Sequence, residues 1–213
     1  MPTSREVPPE RLERSVLEVA GELFPARLAE IGAKAAEASG QETSLEDTTR
    51  VGEVWPLYHL GLDRIVDGTG LDGARMVGWR VLVEVAGRPA ALADVNHGGA
   101  SAGDVRQMTY GPVVAELASI KDSNRSDGAF RGGEVEERLL QMPGIYLLAI
   151  WEQDLAGNAD DVLVPLEPVP APVEAHMRYA ADELLAILQP LARARLRDDE
   201  TRARRSVPPS DQE

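Results

Sequence analysis

A chain of 213 residues that is 43% hydrophobic can bury a core, and its formal net charge of −14 repels phosphate backbones and anionic lipid heads, so nucleic acid and membrane are not expected partners. The absence of cysteine excludes disulfides, thiol catalysis and thiolate zinc sites. With aromatics at 4%, Leu, Val, Ile and Ala must fill the core, and the stacking platforms of single-strand binders are not expected.

Lys34 and Lys121 are the only lysines; every other cation is an arginine, a skew that points to a GC-rich bacterial coding sequence. MPTSREVPPERLERS has no apolar signal-peptide core, and no run approaches the roughly 20 apolar residues of a membrane span, so a cytoplasmic location is the expectation.

In chain order, Pro8 and Pro9 suit the first turn of a helix. Leu12, Val16, Val19 and Leu23, then Leu28 and Ile31, recur at helical spacing, with Arg11, Arg14, Glu18 and Glu22 on other faces. Pro25 divides this amphipathic segment into two pieces, and QETSLEDTTR follows as a polar linker. Val54 to Leu62 reads as a strand that Pro56 confines to an edge or to its first positions. DRIVDGTGLDG, broken by Gly68, Gly70 and Gly73, reads as a turn or single helical turn.

Val77, Trp79, Val81, Val83 and Val85 alternate strictly with other residues, the pattern of a half-buried strand. Ala86-Gly87-Arg88-Pro89 turns the chain, and Ala91, Ala93 and Val95 return it, so a β-hairpin spans about Met76 to Asn96. Small alanines on the return strand imply that a helix packs closely against it. Val105 to Tyr110 reads as a further strand, and Pro112 opens a helix that buries Val113, Val114, Leu117 and Ile120. KDSNRSDGAFRGG reads as a loop, while Glu134 to Gln141 fits neither the helical nor the strand period. Ile145 to Trp151 and Val162 to Leu166 make a second hairpin around DLAGNADD. A proline-rich connector, PLEPVPAPVE, leads to an amphipathic helix striped by Leu184, Leu185, Ile187, Leu188, Leu191 and Leu196. The charged residues beyond Arg197 read as disordered.

The segment with most chemistry is DVNHGGASAGD, Asp94 to Asp104. Its Gly98, Gly99 and Gly103 match neither the P-loop nor the dinucleotide fingerprint in spacing, and no helix start follows, so a phosphate cradle is not supported. Gly99-Ala100-Ser101-Ala102-Gly103 does match Gly-x-Ser-x-Gly, in which a serine on a tight strand-to-helix turn is presented as nucleophile. Ser101 with His97 or His176 as base, and Asp154, Asp160 or Asp161 as acid, is therefore the catalytic candidate. The flanking strand ends several residues before Ser101, which speaks for an ordinary inter-strand loop instead. His59, His97 and His176 with Asp63 or Asp94 form one metal alternative, but none makes a helical histidine pair. Asp154, Asn158, Asp160 and Asp161 share the composition of a calcium loop without its spacing or terminal glutamate.

These patterns predict an α+β fold: an antiparallel sheet of about five or six strands, with amphipathic helices from both termini packed on one face. Residues 1–50 form a helical segment and linker, 51–197 the α+β core with its C-terminal helix, and 198–213 a disordered tail. The expected role is a non-catalytic binding, accessory or regulatory protein without cofactor. Its partner, or a second copy, would dock through an amphipathic helix. The alternative is a serine hydrolase-like enzyme using Ser101.

Overall fold

The computed structural model describes residue 16 and residues 49–96, 105–127, 135–157 and 159–206, without the side chains of 120–127 and 203–206. The chain divides into two compact units, one of Met1–Leu57 with Met76–Gly133 and the other of Tyr58–Arg75 with Glu134–Glu213. The elements run β1 (Thr49–His59), α1 (Leu62–Asp67), a 3-10 turn (Gly70–Gly73), β2 (Arg75–Val85), β3 (Arg88–Asn96), β4 (Val105–Thr109) and α2 (Pro112–Asp127). Then come β5 (Val135–Met142), a 3-10 turn (Pro143–Ile145), β6 (Leu147–Asp154), β7 (Val162–Leu166), β8 (Tyr179–Ala180) and α3 (Ala181–Ser206).

The α+β class holds, but the described residues contain eight strands rather than five or six. The two additions have separate causes. Glu134 to Gln141 carried no clear period, because β5 pairs with β6 over its whole length and buries Leu139 and Leu140 on opposite faces. Strand β8 is two residues long, too short for any periodicity to register.

In the first unit the strand order is β4-β3-β2-β1, and β3 pairs antiparallel with both β2 and β4. The hairpin expected over Met76–Asn96 is present, turning at Ala86-Gly87. Both of its strands are buried on two faces, not one: Val81 and Val83 lie on one side of β2, Arg80 and Leu82 on the other. Strict alternation misleads here because Leu82 is apolar on the second face and Arg80 finds an acid there. On the first face Val81, Val83, Ala91, Ala93 and Val95 enclose Val16, which is helical and fully buried. The alanines of β3 thus receive a helical residue of the N-terminal segment, as their size implies. The rest of the N-terminal helical expectation lies outside the described residues.

Helix α2 begins at Pro112, lies against β3, and buries Val114, Leu117 and Ala118. It continues to Asp127, so Lys121–Asp127 are helical rather than loop. Ser, Asn and Asp lower helix propensity only by about 0.5 kcal/mol each, and extending a formed helix adds one hydrogen bond per residue.

In the second unit β5-β6-β7-β8 pair antiparallel in sequence order. One sheet face carries Leu140, Met142, Leu147, Trp151 and Leu163 against Leu184, Leu185, Leu188 and Ala192 of α3. Each such leucine contributes about 1.5–3 kcal/mol by leaving water. Ile65 of α1 joins this core, and Gln189 of α3 donates its side-chain amide to the Ile65 and Val66 carbonyls at the end of α1. Gly144 allows a close approach, because a Cβ there would stand 2.6 Å from the Leu62 side chain. Helix α3 thus packs on the sheet of its own unit, while of the N-terminal segment only Val16, buried in the first unit, is described. Helix α3 also runs to Ser206, so residues 198–206 are helical rather than disordered.

Candidate functional site

Among the described residues the second unit has a shallow cleft of about 280 Å³, with Asp72, Asp160, Asp161 and Asp182 in its lining. Three local structures bring these aspartates together. The first follows α1, which ends at Gly68 with φ 77°, the left-handed conformation glycine adopts without strain. Asp67 then accepts hydrogen bonds at Oδ1 from the Thr69 backbone N–H (2.9 Å) and hydroxyl (2.7 Å), fixing the turn that delivers Asp72. Those two donors stabilise the charged form and hold the Asp67 carboxyl below its usual range, with Arg64 adding a smaller effect.

The second structure is the β6–β7 hairpin tip. The Asp154 carboxylate accepts the backbone N–H groups of Ala156 (2.9 Å) and Ala159 (2.8 Å), which orders the approach to Asp160 and Asp161. The third is the start of α3. Its Ala181 N–H donates to the Asp161 carbonyl at 2.9 Å, and Asp182 and Glu183 stand in the first turn, where the helix dipole favours negative charge. Asp161 has a further duty, since its Oδ2 accepts the Trp151 indole N–H at 2.8 Å. None of the four aspartates pairs with a cation among the described residues, and the cleft lining contains no Lys, Arg or His.

Behind this wall Trp151 belongs to an aromatic and charged stack. Tyr58 meets Trp151 edge to face at a centroid distance of 5.2 Å. The Arg138 guanidinium lies 5.0 Å from the Tyr58 ring and 4.9 Å from that of Trp151, and it is hydrogen-bonded to Glu136. Arg138 and Trp151 are register partners on β5 and β6, so strand pairing itself sets this contact. Arg178 donates two hydrogen bonds to the buried Glu152 of β6, with Nη1 2.7 Å from Oε1, which raises the pKa of the guanidinium further.

Compared with known proteins, the chain matches no family model, no curated protein sequence and no solved structure.

Of the catalytic candidates, Ser101 and His97 lie outside the described residues. His176 is exposed in a turn with φ 63°, and its backbone N–H donates to the Pro165 carbonyl at 2.8 Å. Asp94, considered as a metal ligand, is instead a buried partner of Arg80. His59 is half-buried at the end of β1, and exposed Asp63 is 3.4 Å from Arg64. Among the described residues no three His, Asp or Glu side chains are arranged to hold a metal ion. The sequence singles out Asp160 and Asp161 as triad acids or by the composition of a calcium loop, not as part of a cleft, and gives no prominence to Asp72 and Asp182. Asp182 carries a legible signal, an acid in the first turn of a strong helix. Asp72 carries none, because its role depends on where the turn after α1 falls in space.

Proposed function

We propose that this protein acts by binding, as an accessory or regulatory subunit, and that its aspartate-walled cleft receives a guanidinium or ammonium group of a partner protein. One observation carries the reading: four aspartates line a cleft of about 280 Å³ whose lining holds no cation. Four acids in one concavity focus a negative potential that attracts a cation, and the net charge of −14 adds to it at longer range. The volume of about 280 Å³ lies just below the range of ligand pockets, about 300–1,000 Å³, which suits a side-chain-sized cation better than a large cofactor. Helix α3 is less suited to docking by its apolar stripe, because Leu184, Leu185, Leu188 and Ala192 are already buried within their own unit. No helix of the described residues is long and apolar enough to cross a membrane.

Titration with a short amidated peptide containing one arginine, followed by amide NMR, tests this reading. Saturable shifts are expected at Thr69–Asp72, Asp160–Asp161 and Asp182, and they should vanish in the Asp72→Asn/Asp160→Asn variant. Non-saturating shifts spread over the acidic surface, unchanged in that variant, would remove the cleft from the proposal.

A further inference from the structure

We draw no further inference here: the strongest candidate, the largely solvent-facing C-terminal half of α3 from Arg193 to Arg202, is an unpartnered helix face, and nothing in the structure shows what covers it.

Discussion

Arg80 on β2 and Asp94 on β3 meet in a buried, two-pronged ion pair, with Nε 2.6 Å from Oδ1 and Nη2 2.8 Å from Oδ2. Each side chain is only 8% exposed, so both charges have left water and depend on each other. Removing one partner strands the other, which costs about 3–5 kcal/mol, whereas replacing both with apolar groups of similar volume is often neutral. Asp94→Ala should therefore lower the unfolding free energy in urea by about 3–5 kcal/mol. Arg80→Met/Asp94→Leu should recover most of that loss. Equal losses in the single and double variants would show that the two charges do not act as a pair.

This pair also marks where sequence reading stops. The turn at Ala86-Gly87 sets Val85 opposite Arg88 and Glu84 opposite Pro89. Continued without interruption, that register would set Arg80 opposite Ala93 and leave Asp94 opposite Trp79. A bulge between Val83 and Glu84 adds one residue on the return strand, and only then does Arg80 face Asp94. The alternating valines announced the hairpin, but nothing in their spacing announced the bulge. Short-range patterns recovered β2, β3, β4, α2 and the start of α3, because each is written in consecutive residues. The cleft was not legible for the opposite reason: Asp72, Asp160 and Asp182 lie far apart in the chain and meet only after α1, the hairpin tip and α3 have packed.

The turn leading into the cleft has a measurable electrostatic signature. Asp67 accepts the Thr69 backbone N–H and hydroxyl, which hold its carboxyl below the ordinary 3.8. A carboxyl whose folded pKa is depressed stabilises the fold above its unfolded pKa, and that contribution is lost as pH falls through the folded pKa. The Asp67 carboxyl carbon should accordingly titrate by NMR with a midpoint below 3.8. Thr69→Val removes the hydroxyl donor but keeps the backbone N–H, which is the larger cause, so the midpoint should rise only part of the way back. A midpoint at or above 3.8 in the unmodified protein would show that the Thr69 donors do not hold this turn in solution.

Ser101 separates the binding reading from a catalytic one. The Gly-x-Ser-x-Gly match at residues 99–103 would have meaning only if the hydroxyl were activated by a neighbouring base. A binding protein has no need of that activation. Incubation with a fluorophosphonate probe should therefore leave the folded protein unlabelled, as judged by intact mass. A stoichiometric adduct at Ser101 that disappears in Ser101→Ala, and depends on His97 or His176, would instead establish a serine hydrolase-like site.

The small residues of β3 make a different demand on the N-terminal segment. Val16 is fully buried among Val81, Val83, Ala91, Ala93 and Val95, so the space above Ala91 and Ala93 is already filled by a helical side chain. Adding methylenes to a filled core forces side chains off their rotamers or the helix off the sheet, at about 1–3 kcal/mol. Ala93→Leu should destabilise the protein by about that amount and increase protease cleavage within the N-terminal segment. Val16→Ala leaves a void instead of a clash, and combined with Ala93→Leu it should restore part of the lost stability, because the new side chain can enter the vacated volume. Additive losses in the double variant would mean that Val16 and Ala93 do not share this space, and that helix packing is not what keeps the β3 residues small.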